Sequence, residues 1–194
     1  IESGQILSSV LSKDRLLRLI IEVFGELSKT ERNPSVSFLY LMDYNTNAYV
    51  YETGFNIDIT MLESSKLPPE DDFIMTIRKE KNILYFDDIN KTPYKFFKKE
   101  KLDYLGETVF FISIPLFVES EMMGFVNIFC DKSSFDYLKK EEKMLLALAA
   151  EASIALGSAV QSELAVLDRL TKIYNHAYFE ARLAQEIARS DRYK

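Results

Sequence analysis

Residues 108–130 constrain the fold more tightly than any other part of this 194-residue chain. Two β-branched and aromatic runs, 108–117 and 123–130, are separated only by the polar segment Glu119-Ser120-Glu121. Apolar runs of that length and composition read as strands, and a polar connection this short makes them antiparallel neighbours. Strand side chains alternate between faces. If Ile112, Ile114, Val126 and Ile128 point toward helices, Phe111, Ser113, Asn127 and Phe129 must share the other face.

The rest of the chain supplies what such strands need. Apolar residues between about 10 and 28 fall on two adjoining helical stripes, Val10, Leu17, Ile21, Phe24 and Leu16, Ile20, Val23, Leu27, wide enough to touch two surfaces. Asn33-Pro34 breaks that helix. Runs 35–42 and 48–52 flank Asp43-Tyr-Asn-Thr-Asn47 and read as a second hairpin. Glu70, Asp71 and Asp72 follow Pro68-Pro69 and suit the positive end of a helix whose apolar face is Phe73, Ile74 and Ile77. Residues 83–86 form a short strand candidate, 90–105 a loop with a helical turn, and one unbroken helix is expected from near Tyr137 to about Arg169. This order describes an α+β fold, a central antiparallel sheet with helices on one face.

Composition narrows the class. With 47% hydrophobic residues, the chain buries a core and fits one globular domain plus an appendage. A single cysteine, Cys130, excludes an internal disulfide and suits a reducing, cytoplasmic compartment. A net charge of −6 argues against nucleic-acid binding. The apolar stretch 144–160 is interrupted by Glu151 and preceded by Lys139-Lys-Glu-Glu-Lys143, so it reads as a packing helix; membrane attachment is expected only through segments upstream of Ile1.

Leu145, Ala149, Ala152, Leu156, Ala159, Glu163, Val166 and Leu170 advance in alternating steps of four and three, a heptad seam. Through Leu156 the stripe equally suits covering the domain's own sheet. Beyond it a parallel dimer or a helix from a neighbouring domain is expected in preference to a solitary exposed helix. The expected partner is a second copy, a homodimer joined through the first and last helices at Val10, Leu17, Ile21, Phe24, Leu156, Ala159, Glu163 and Val166.

Phe111-Ile-Ser-Ile-Pro-Leu116, Gly124-Phe-Val-Asn-Ile-Phe129, Phe135 and Leu145-Leu-Ala-Leu-Ala149, taken in order, resemble the signature of GAF domains across roughly residues 7–162. The resemblance implies terminal helices on one sheet face, a loop-roofed ligand pocket on the other, and a long C-terminal signalling helix. It makes Phe111, Ser113, Asn127, Phe129 and Tyr85 the candidate ligand residues. The roof holds Lys91, Tyr94, Lys95, Phe96, Phe97, Lys98, Lys99 and Lys101, a basic run interleaved with aromatics. Several family ligands are disfavoured. Lys139-Lys140 stand where cyclic-nucleotide binders have Asp-Glu, Cys130 is misplaced for a bilin, and His176, outside the sensor, is the one histidine available to haem or a metal. One cysteine cannot run the redox cycle of the free-methionine sulfoxide reductases. The expectation is no cofactor and no metal site, with an unidentified small molecule as the ligand.

The tail Asp168-Arg-Leu-Thr171-Lys-Ile-Tyr-Asn175, followed by an amphipathic helix through Phe179, Leu183 and Ile187 and on to Arg189, resembles the opening of GGDEF domains, the diguanylate cyclases; His176 stands where that family usually has Arg. The organisation expected is a sensor over 1–162, a linker over 163–170 and the start of a GGDEF domain over 171–194. GTP and Mg²⁺ would then bind only beyond Lys194, leaving this chain non-catalytic, with no catalytic residue of its own. The chain reads as a sensory and dimerisation module, or else as a purely structural GAF dimeriser whose own side chains fill the pocket.

Overall fold

The hairpin that dominates the sequence is the centre of the molecule. In a computed structural model describing residues 2–28, 35–57, 59–62, 64–92, 94, 109–166, 179, 183 and 187 (backbone alone at 2–12, 61, 90 and 161–166), β5 (Phe110–Val118) and β6 (Glu121–Cys130) pair antiparallel with Ser113 opposite Asn127. On its other side β6 pairs with β1 (Val36–Asp43), and β1 turns through residues 44–47 into β2 (Ala48–Phe55). The short strands β3 (Lys66–Leu67) and β4 (Leu84–Phe86) close the two edges. The result is a six-stranded antiparallel sheet in the order β3-β2-β1-β6-β5-β4. Sequence alone leaves β3 unseen, because two residues carry no periodicity.

The chain divides into two compact units, Leu17–Ile154 and the combined ends Ile1–Leu16 with Ala155–Lys194. Within the first, α1 (Glu2–Leu27) contributes Leu17, Ile20, Ile21 and Phe24 to the core. The serines of β1 fix it to the sheet: Ser37 Oγ donates to the Ile21 carbonyl at 3.2 Å and Ser35 Oγ to that of Gly25 at 2.9 Å. Position 25 is glycine because a Cβ would lie 2.5 Å from the Phe55 ring of β2.

The same sheet face receives α3 (Lys132–Lys140), capped by Asp131, whose carboxylate accepts the Ser134 amide at 2.8 Å. Phe135 of α3 meets Phe110 at 4.9 Å and Tyr85 at 5.9 Å between ring centres. The single helix expected from Tyr137 is thus two helices: α3 starts five residues earlier, and α4 (Glu142–Val166) follows a break at Glu141, where φ −92° and ψ 28° leave the helical region. The break lets Phe135 and Leu138 on one helix and Leu145 on the next all be buried. Nothing in Lys139-Lys-Glu-Glu-Lys143 announces it, since all five residues are good helix formers.

The spacing read for α4 is a buried stripe, with Leu145, Ala149 and Ala152 at most 6% exposed in the first unit. In the second unit Leu156 is 1% and Ala159 8% exposed, while the helical positions Phe179, Leu183 and Ile187 are 60%, 49% and 55% exposed. Asp168, Thr171, Asn175 and His176 lie outside the described residues. By length and composition α4 also has a stretch, Glu142–Val160, that would suffice to cross a membrane.

Candidate functional site

The face of the sheet opposite α1 is where the ligand pocket is expected. Register brings Phe111, Ser113, Asn127 and Phe129 together there, as alternation requires, with Phe38, Tyr40 and Phe125 as neighbours. α2 (Asp72–Glu80) covers it with Phe73, Ile74 and Ile77, held at its start by Asp71, which accepts the Phe73 amide at 3.0 Å. The aromatic rings fill this face: Phe129 stacks on Phe111 at 4.8 Å and on Phe38 at 5.5 Å, Phe111 on Phe86 at 5.2 Å, and Tyr40 on Phe125 at 5.2 Å. Such ring contacts add to the stabilisation that burial gives.

One polar pair sits within this apolar layer. Ser113 Oγ donates to Asn127 Oδ1 at 2.7 Å, both residues being fully buried. The amide Nδ2 of Asn127 has no hydrogen-bond partner among the described residues, a state that costs about 1–3 kcal/mol. The tyrosines are better satisfied. Tyr49 donates to the Met122 carbonyl at 3.0 Å and Tyr40 to that of Ser64, and burial holds the Tyr40 hydroxyl well above its ordinary pKa.

Tyr85 does not join the other four candidates. Leu84 is opposite Ser113 and Tyr85 opposite Ile112, which turns Tyr85 to the α3 side. There its ring packs on Phe135 beneath the Lys139 ammonium, 5.5 Å from the ring centre. Burial first, and the nearby Glu142 carboxylate second, push its hydroxyl pKa up; the hydroxyl falls short of hydrogen-bonding geometry. A three-residue strand is too short to reveal its phase; pairing with β5 sets it.

Of the basic roof, Lys91 pairs with Asp88 at 3.5 Å, and Tyr94 shares a hydrogen bond with Thr76 at 3.1 Å while packing on Phe73 and Phe86. Lys95, Phe96, Phe97, Lys98, Lys99 and Lys101 lie outside the described residues. Cys130 is buried, its thiol pushed up to about 12 by burial and then by Asp131.

The residues read as a dimer seam are spent inside the chain. Leu17, Ile21 and Phe24 are 3%, 2% and 1% exposed, and Leu156 and Ala159 are buried too. The stripe through Leu17, Ile21 and Phe24 points inward because an antiparallel sheet needs that cover on its helical face. The side chains of Val10, Glu163 and Val166 lie outside the described residues. Exposed apolar residues occur instead at Leu19 and Val23 on α1 and at Leu146 and Ile154 on α4.

Sequence reasoning missed an open cleft of about 250 Å³ at the turn end of the sheet, walled by Arg78 and Lys81 at the end of α2. Its signal, basic residues in the last turn of a helix, is indistinguishable from ordinary complementation of the helix dipole.

No family model matches the chain, and no curated protein matches its sequence. Solved structures do share its fold. The GAF domain/HD domain protein from Geobacter sulfurreducens aligns with a TM-score of 0.58 at 12% identity, over 76% of this chain and 94% of that one. The GAF domain of an Acinetobacter phosphoenolpyruvate-protein phosphotransferase aligns at 0.53 and 15%, over 82% and 92%. A methyl-accepting chemotaxis protein aligns at 0.53 and 19%, over 83% and 99%. Six antiparallel strands with α1 and α3 on one face and α2 on the other therefore make up a GAF-like fold.

Proposed function

We propose that the chain is a non-catalytic, cytoplasmic sensory and regulatory module that controls a C-terminal GGDEF diguanylate cyclase domain. The sensory part is supported by the GAF-like fold, which a chemotaxis protein shares. The output is supported by the D-x-L-T-x-I-x-N tail and, above all, by one observation. Phe179, Leu183 and Ile187 follow at four-residue intervals and are 49–60% exposed, an apolar stripe with the spacing of a helix face that packs against the body of a domain. The helix α4 would carry the signal by a small shift against its partner. Incubating the parent protein with GTP and Mg²⁺ tests the output. Cyclic di-GMP is the expected product, and finding neither product nor nucleotide binding refutes it.

Homodimerisation belongs to this reading, through the stripes left exposed rather than the buried seam. Leu19 and Val23 on α1, with Leu146, Ala150 and Ile154 on α4, are each four residues apart and all exposed. Light scattering is expected to give a dimer that Ile154→Lys dissociates; a monomeric wild type at micromolar concentration contradicts it.

The aromatic filling of the face over Phe111 and Phe129 favours a second reading, a structural dimeriser without a ligand. A thermal-shift screen against nucleotides, amino acids and small carboxylates separates the two.

A further inference from the structure

The cleft beside α2 brings two cations together with apolar side chains. Met42, Phe117, Met122 and the Tyr49 ring contribute apolar side chains to a lining whose accessible surface is more polar than apolar. Beside them stand Arg78 and Lys81, both exposed, whose side chains have no ion-pair or hydrogen-bond partner among the described residues. Lys81 is fixed there by the helix C-cap, its backbone at φ 51° and its amide donating to the Ile77 carbonyl at 3.1 Å. The one acidic lining residue, Glu121, is engaged from the side, where its Oε1 accepts the Tyr44 hydroxyl at 2.9 Å. Burial raises the Tyr49 hydroxyl pKa, and the nearby Arg78 charge opposes that rise, so both residues belong to one electrostatic neighbourhood.

We propose that this cleft binds a small carboxylate carrying an apolar body. A volume of about 250 Å³ holds about eight water-sized volumes, enough for a single-ring or branched aliphatic acid. The guanidinium fork of Arg78 suits bidentate pairing with a carboxylate, and Lys81 adds a second donor. The negative end of α2 competes for the same two cations, so contact of the ligand's body with Met42, Phe117 and Met122 must add to the charge pairing. Glu121 decides between two sources of this chemistry: a simple acid leaves it idle, whereas an amino acid offers it an ammonium group. The inference deepens the sensory reading by naming a ligand class. Because binding is measured on this chain alone, its failure leaves control of a cyclase untouched, and failure of that control leaves the binding result standing.

Calorimetric titration of the 194-residue chain with 3-phenylpropionate, phenylalanine and the neutral 3-phenylpropanol is the test. Saturable binding of at least one carboxylate is expected, weakened ten-fold or more by Arg78→Gln and unchanged by Lys132→Gln on the distant α3. The alcohol is expected to bind at least ten-fold more weakly. Preference for phenylalanine that Glu121→Gln removes identifies the amino acid as the source; preference for phenylpropionate identifies the simple acid. No heat from either carboxylate, equal binding of the alcohol, or affinity indifferent to Arg78→Gln overturns the proposal. Arg78 is exposed, so loss of folding does not confound the variant, and its melting curve verifies this.

Discussion

Ser113→Ala should destabilise the protein, and adding Asn127→Leu should restore it. Among the described residues the Asn127 amide accepts one hydrogen bond, from Ser113, and donates none. Removing the serine hydroxyl strands Oδ1 beside the already stranded Nδ2, in a residue with no exposure to water. An unsatisfied buried group costs about 1–3 kcal/mol. For a chain of this length about 1 kcal/mol moves Tm by roughly 2–4 °C, so the single variant should melt roughly 2–12 °C lower. Leucine is close to asparagine in shape and matches the Phe38, Phe111, Phe125 and Phe129 surroundings. With both polar partners gone, the double variant should melt at or above wild type, because replacing a buried pair by apolar groups is nearly neutral or stabilising. Thermal unfolding followed by circular dichroism measures all three proteins. A neutral Ser113→Ala, or a double variant less stable than the single, would show that Asn127 donates to a partner in solution and sink the reasoning.

Phe129→Ala should cost about 3–5 kcal/mol, the range for removing a fully buried ring, and a loss under 1 kcal/mol in urea titration would mean the aromatic face is loosely packed. Glu119→Gly at the β5–β6 turn, where φ is 56°, should raise stability by about 1 kcal/mol, since a left-handed residue other than glycine is strained. The Cys130 thiol should resist alkylation at pH 8 until the chain is unfolded, because its pKa is raised to about 12. The folded state holds that proton more tightly, so the stabilisation is complete below the ordinary thiol value of 9.0 and is lost as pH rises toward about 12. Comparing urea midpoints of wild type and Cys130→Ala at pH 8 and pH 11 checks the sign: the loss should be smaller in the variant.

Much of the fold was legible because its central elements carry strong patterns. Alternation in 108–130 correctly put Phe111, Ser113, Asn127 and Phe129 on one face, and Pro68-Pro69 with its carboxylates marked α2 and its buried Phe73, Ile74 and Ile77. Where the reading erred, the deciding term was tertiary. Tyr85 takes its face from pairing with β5, and the helix break at Glu141 follows from packing that no propensity encodes. The stripes through Leu17, Ile21, Phe24 and Leu156 were legible as buried, but periodicity does not say whether the covering surface belongs to the same chain. The cleft beside Arg78 was invisible because it joins the end of a helix to a distant hairpin turn.

The most direct measurement compares GTP turnover by the parent protein with turnover by the same protein lacking residues 1–167. If this chain regulates a diguanylate cyclase, the two rates of cyclic di-GMP formation should differ by at least about ten-fold, a coupling of about 1.4 kcal/mol. Equal rates would contradict regulation, and absence of the product from both would contradict the cyclase itself.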